Sequence, residues 1–272
     1  MPEINTLVSS RVFYRKMGSG PVAILLHGFP ESGSLWRKIW GELAQSFTLI
    51  IPDFPGSGSS ILDGEASIAQ MAECVKKIMD AESIDKAVIA GHSMGGYVGF
   101  AFADIYPHKV CGLSLVHSTP QADDEGKRET RRKSIELIRK GAKKMFITQM
   151  VPNLFSDAFK HSHAKDIEEQ VALALEIMDK SLINFYNAMI LRKEYTGILY
   201  STLFPIQWII GSDDNIMNYK KIFEFCHKSR INFVSFYNNC GHMSMIEAPE
   251  KLVTDLKAFI NYSYRYQPVR NE

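Results

Sequence analysis

The sequence predicts an α/β fold: a mostly parallel central sheet with flanking helices, interrupted once by an inserted block of helices. Three observations predict it. Short, continuously apolar runs recur along the chain, as expected of strands buried on both faces. Segments with helical spacing separate these runs, and parallel strands need such crossovers. The alternation stops at residue 119 and resumes after residue 202.

Residues 6–17 carry one or two short β segments, richest at Arg11-Val12-Phe13-Tyr14, before a turn at Gly18-Ser19-Gly20-Pro21. Val22-Ala23-Ile24-Leu25-Leu26 is the first buried strand, and it runs into His27-Gly28-Phe29-Pro30. A helix follows over 36–44 and a second buried strand over 47–51, closed by Pro52-Asp53-Phe54-Pro55-Gly56-Ser57-Gly58. Residues 68–79 have helical spacing, with Met71, Val75 and Ile78 on one face. A strand over 86–90 meets Gly91-His92-Ser93-Met94-Gly95-Gly96, a helix follows, and 111–116 is a further strand. Helices are then expected over 132–140, 142–151, 167–179 and 183–193, with no core strand among them. The β/α pattern returns with a strand at 205–210, a helix at 218–227, a strand at 233–237 and a helix at 248–262. The polar stretch 264–272 reads as a frayed tail. The expected organisation is therefore a core of residues 1–118 and 203–272 around a helical insertion at 119–202.

A net charge of +1 provides no long-range field for nucleic acid or an anionic membrane, and no basic stripe with interleaved aromatics is present. The Lys and Arg residues of 127–133 are mixed with Glu125 and Glu129 and read as a solvated helix face. The four cysteines show no C-x-x-C spacing, so they read as reduced thiols rather than a disulfide framework or a zinc site. The first residues lack a charged region followed by an apolar core, and no apolar run reaches transmembrane length. These features lead to the expectation of a cytoplasmic protein.

The chemistry centres on Gly91-His92-Ser93-Met94-Gly95. A serine at the apex of a tight strand-to-helix turn stands clear of the backbone and can meet a base. In an open parallel sheet, such partners gather at the carboxyl ends of the strands. The strand at 205–210 leads into Gly211-Ser212-Asp213-Asp214, and the strand at 233–237 leads into Asn238-Asn239-Cys240-Gly241-His242. An acid (Asp213 or Asp214) and a base (His242) thus follow the last two strands. For an oxyanion, the backbone N–H of Met94 is one donor. Phe29 is the other, since Gly28 permits close approach and Pro30 has no N–H to give. His117 ends a strand and borders the same region. His108, His161, His163 and His227 lie away from strand ends and read as structural.

These segments together resemble the α/β-hydrolase fold family: His27-Gly28-Phe29-Pro30, Asp53-Phe54-Pro55-Gly56-Ser57-Gly58-Ser59, the elbow at Ser93, Gly211-Ser212-Asp213-Asp214 and Gly241-His242-Met243. The resemblance covers nearly the whole chain and implies the order nucleophile Ser93, acid Asp214, base His242, with Asp53 structural. It also implies that 119–202 is a cap over the pocket. In that cap Met145, Phe146, Met150, Leu154, Phe155, Phe185 and Met189 offer apolar surface to an acyl or aryl group, or pack the cap on itself. His27-Gly28-Phe29-Pro30 is also similar to epoxide hydrolases and haloalkane dehalogenases, but those use an aspartate where this chain has Ser93. The expected function is a serine hydrolase of a small to medium carboxylic ester or thioester, with no cofactor and no metal. A carbon–carbon bond hydrolase, lactonase or perhydrolase would use the same triad. A receptor on the same fold would bind a small molecule without turnover.

Overall fold

The computed structural model describes residues 4–8 and 12–267. Among the described residues eight strands form one sheet in the order β1-β2-β4-β3-β5-β6-β7-β8. They are β1 (Ile4–Val8), β2 (Val12–Met17), β3 (Val22–Leu26), β4 (Thr48–Pro52), β5 (Ala87–His92), β6 (Val110–Val116), β7 (Ile206–Gly211) and β8 (Asn232–Tyr237). β1 pairs with β2 and β2 with β4 in antiparallel fashion; every other pairing is parallel. Arg11, in the β-rich stretch expected at the start of the chain, lies outside the described residues.

The helices are α1 (Arg37–Leu43), α2 (Ile68–Ala81), α3 (Met94–Ile105), α4 (Glu125–Arg139), α5 (Lys143–Met150), α6 (Asp157–Ser162), α7 (Ala164–Glu176), α8 (Asp179–Ile190), α9 (Tyr219–Phe223), α10 (Ser244–Glu247) and α11 (Pro249–Arg265). α3 packs on β5 and against α2, while α11 packs on β6 and against α1. Between these layers Ile24, Leu25, Leu26, Val88, Ile89 and Leu113 are fully buried, which is why β3 and β5 read as unbroken apolar runs. Among the described residues no helix is long and apolar enough to cross a membrane.

Capping accounts for several departures from the expected elements. α4 begins at Glu125, seven residues before the expected start at 132, because the Asp124 side chain accepts the Lys127 N–H at 2.8 Å. α6 was not expected; Ser156 caps it by accepting the Phe159 N–H. α8 starts at Asp179, whereas the stretch 218–227 holds only the short α9. The closing helix runs on to Arg265, and Tyr264 is no part of a frayed tail. Its hydroxyl accepts the Val22 N–H at 2.9 Å and lies 2.9 Å from the Val22 carbonyl, fastening α11 to the start of β3. Of the stretch expected to fray, 268–272 lies outside the described residues.

The parallel register brings the strand ends level. Leu26 pairs with Gly91, His92 with Val116, Val116 with Ile209, and Gly211 with Tyr237. His27, Ser93, His117 and Ser212, each next in sequence after its strand, therefore come to the same edge of the sheet. α4 to α8 all lie between β6 and β7.

Candidate active site

Ser93 sits between β5 and α3 with φ 49° and ψ −112°, a conformation that side chains rarely adopt. The turn closes only because its neighbours are small. A Cβ on Gly91 would meet the Gly95 carbonyl oxygen at 2.4 Å, and one on Gly95 would meet the Leu26 carbonyl oxygen at 2.4 Å. The Ser93 N–H continues the sheet ladder to the Val116 carbonyl at 2.9 Å. Its side chain does not cap the helix, and the residue is half-buried while its neighbours are buried. Met94 opens α3, so its N–H is among the first-turn donors that have no partner within the helix. Phe29 precedes Pro30 in the loop after β3, and its ring packs against Phe185 and Tyr186 of α8.

Asp214 and His242 come together from the loops after β7 and β8. His242 Nδ1 donates to Asp214 Oδ2 at 2.7 Å, and both side chains are 2% exposed. Asp214 Oδ1 accepts the Ile216 and Met217 N–H groups, each at 2.8 Å. Burial alone would raise this carboxyl, but the His242 and His117 rings beside it hold it well below the usual carboxylate range. Asp213, the other acid in the loop, is exposed and accepts from the Ser212 hydroxyl at 2.7 Å. Among the described residues no hydrogen bond joins the Ser93 hydroxyl to His242; such bonds often close only when substrate is present.

His117 also belongs to this group. It sits at the end of β6 with φ 51°, and its Nδ1 donates to the same Asp214 Oδ2 at 3.1 Å. Its Nε2 is buried without a partner. Burial pushes its pKa down to about 4 against the pull of Asp214, so the ring is neutral near pH 7. Ligand atoms of His117, Asp214 and His242 lie within 4.8 Å of one another, a grouping a metal could use. Here both Nδ1 atoms spend their protons on Oδ2, and hydrogen bonding accounts for the cluster.

A second buried acid–histidine pair was not singled out by the sequence. His92, next to Ser93, places Nδ1 3.0 Å from Glu31 Oε2 and Nε2 2.9 Å from the His242 carbonyl oxygen. Both neighbours are acceptors, so both ring nitrogens carry protons. Burial disfavours that charge, but Glu31 beside it outweighs the penalty and raises the His92 pKa. Glu31 Oε2 also accepts the Gly28 N–H at 2.9 Å. The loop carrying Phe29 is thereby tied to the residue before Ser93 and to the backbone of His242. The only sequence signal was position: Glu31 follows His27-Gly28-Phe29-Pro30, and His92 lies inside the elbow motif.

Asp53 holds its glycine-rich turn: Oδ1 accepts from Gly33 N at 2.8 Å, and Oδ2 from Ser59 N at 2.9 Å. The apolar residues of 119–202 take mixed positions. Met145 is 50% exposed on α5 and turns outward, away from any enclosed pocket. Phe155 is fully buried and stacks on Phe159 at 5.5 Å. Phe146 lies against Tyr186 at 6.0 Å, and Met150 is partly buried against the core. The segment 154–156 reaches the site through its backbone, since the Leu154 carbonyl accepts the His242 N–H at 2.7 Å. Glu247 joins the two sides, accepting from Ser156 N and Gly241 N, each at 3.1 Å.

A model of the alpha/beta hydrolase fold matches residues 21–131. An esterase from Thermogutta terrifontis superposes with a TM-score of 0.89 at 24% identity, covering 97% of this chain and 99% of that one. The chain has the α/β-hydrolase fold. Another α/β-hydrolase-like neighbour is the enol-lactonase from Burkholderia xenovorans LB400, with a TM-score of 0.87 at 17% identity over 95% of this chain and 100% of that one. Uncharacterized proteins of Mycobacterium bovis and Mycobacterium tuberculosis are 35% identical over 115 residues, 42% of this chain. The matched segment spans 34% of the length of those relatives.

Proposed function

We propose that this α/β-hydrolase is a serine hydrolase that cleaves a small to medium carboxylic ester or thioester through an acyl-enzyme on Ser93. The observation that carries this reading is the 2.7 Å Asp214–His242 pair at the same sheet edge as a serine held at φ 49°. In this mechanism His242 Nε2 takes the Ser93 proton as Oγ attacks the carbonyl carbon. Asp214 keeps the Nδ1–H tautomer and stabilises the imidazolium. The N–H groups of Phe29 and Met94 receive the oxyanion. His242 then gives its proton to the leaving oxygen or sulfur. Water activated by the same ring attacks the acyl carbon, and Ser93 is released with the carboxylic acid.

Residues 119–202 act as the cap in this reading, and Phe185 and Tyr186 reach the Phe29 loop from it. The partner is a small molecule. The four cysteines are free, which fits a cytoplasmic setting. The enol-lactonase neighbour favours one second reading, a cyclic ester opened by the same acyl-enzyme steps. A fluorophosphonate probe should label wild-type protein, and Ser93→Ala should lose both labelling and hydrolysis of p-nitrophenyl esters. Near-normal turnover by Ser93→Ala would remove Ser93 from the mechanism. A panel of esters, thioesters and lactones then sorts the substrate class.

A further inference from the structure

Asp214 Oδ2 carries two imidazole donors, the His242 Nδ1–H at 2.7 Å and the His117 Nδ1–H at 3.1 Å. Its other oxygen is taken by the Ile216 and Met217 N–H groups. The positive end of the His117 N–H thus sits beside the His242 ring, 5.5 Å between centres, and opposes the build-up of an imidazolium there. The backbone under the His117 ring is fixed. Its N–H bonds to the Ile209 carbonyl at 3.0 Å, and the next residue, Ser118, donates its hydroxyl to the Ser93 carbonyl at 2.8 Å. One turn after β6 therefore touches the elbow through Ser118 and the acid through His117. Burial keeps the His117 ring neutral near pH 7, so it brings Asp214 a proton to share and no charge.

We propose that His117 is a positioning residue that holds Asp214 in place for His242 while sharing its Oδ2, and so limits how firmly the acid retains the protonated base. The proposal rests on the serine-hydrolase reading for the role of His242. Its consequence is a base that gives up its proton at lower pH, so that activity reaches further into the acid range than a single ring on Asp214 would allow. The other groups around the pair leave this division to the two rings. Glu31 is engaged with His92 at 3.0 Å. Glu247 accepts the Gly241 N–H at 3.1 Å, and burial pushes the Cys240 thiol up so that it stays uncharged. Asp213 is exposed. The cleft outside Asp214 carries Lys127, Arg192, Lys220 and Lys221, of which Arg192 pairs with Asp123 at 2.9 Å and the lysines are exposed.

The test is the pH profile of kcat/KM for p-nitrophenyl butyrate. His117→Phe removes the donor and should move the midpoint of the acid limb up by about one pH unit, the scale of one hydrogen bond to a charged group. His117→Asn, whose amide can donate to the same oxygen and which tolerates φ 51°, should return the midpoint most of the way to wild type. A merely structural role would lower the plateau and leave the midpoint where it was; that result, or equal shifts in both variants, would overturn the proposal. NMR of wild type labelled at its histidine nitrogens needs no variant to fold. There His117 should stay neutral with its proton on Nδ1 across the acid limb, and a proton on Nε2 alone would overturn the proposal. Ser93→Ala separates this proposal from the serine-hydrolase reading. In that background the His242 ring signals, followed by NMR against pH, should titrate about one unit higher once His117→Phe is added. A shift of that size while wild type cleaves no ester would keep the role of His117 and reject the serine-hydrolase reading. No shift would reject the role of His117 whatever the activity.

Discussion

His92 and His117 both neighbour His242, their ring centres 4.9 and 5.5 Å from its own and 6.2 Å from each other. Both side chains are fully buried, and each has a carboxylate near Nδ1. Yet the two rings stand in opposite states. At His92 burial is outweighed by Glu31, with the His242 carbonyl accepting from the second nitrogen, and the pKa rises. The second nitrogen of His117 meets nothing, and burial drives its pKa down to about 4. The carboxylates differ as well. Glu31 serves His92 and Gly28 alone, whereas Asp214 Oδ2 is shared by two rings. Burial beside a carboxylate therefore does not by itself fix the charge of a histidine: Glu31 outweighs burial at His92, with help from the His242 carbonyl, while the shared Asp214 does not at His117.

The largest expected effect falls on the Asp214 side. Asp214→Asn should lower kcat about 10⁴-fold by releasing the His242 tautomer, measured as ester turnover at saturating substrate. A loss under tenfold would remove Asp214 as the orienting acid. On the other side, His92→Leu leaves Glu31 buried without its cation and should cost about 3–5 kcal/mol in urea unfolding. A cost below about 1 kcal/mol would show that the pair is not an ion pair.

The pH dependence has opposite signs at the two rings. The contribution of His92 is complete below its ordinary 6.5 and is lost as pH rises through its raised folded value. Glu31 is held below its ordinary 4.5 mainly by His92, against burial, so its own contribution is lost only as pH falls through that lowered value. His117 acts the other way. Its unfolded form takes a proton near 6.5 but its folded form only near 4, so stability should fall by on the order of 3 kcal/mol as pH drops across that window. His117→Phe should flatten the acid side of a stability–pH curve; an unchanged slope would place the titration elsewhere. The smallest effect belongs to Asp213→Asn, which should change stability by less than about 0.5 kcal/mol and leave turnover within a few-fold. A large loss there would transfer the role of the acid to Asp213.

The succession of strands along the chain and the strand-end loops were legible because buried parallel strands leave continuous apolar runs. Ser93 and His242 could each be placed one loop beyond a predicted strand, whereas that search left Asp213 and Asp214 open and only the family resemblance chose between them. The Glu31–His92 pair could not be placed. Its members are 61 residues apart, and neither acid–base spacing nor periodicity links them before the chain folds. Nor did periodicity reveal that His117 shares Oδ2 with His242, since only the parallel register sets β6 beside β7. The helices of 119–202 were recognisable as helices, but their starts were misplaced where Asp124 and Ser156 act as caps. The direction in which Met145 faces depends on packing among helices, which one-face spacing cannot report.

His242 is gripped through its main chain from two directions: its N–H by the Leu154 carbonyl at 2.7 Å and its carbonyl by His92 at 2.9 Å. A side chain at Gly241 would run into Ser156 N at 2.5 Å. The stretch 154–156 thus works as a bracket for His242, although it lies within the helical insertion expected at 119–202. Anyone grafting the helices of a relative onto this core to alter selectivity should place the junctions so that 151–157 stays with the core. A chimera that replaces the bracket would lose the alignment of the base before its new pocket could be tried.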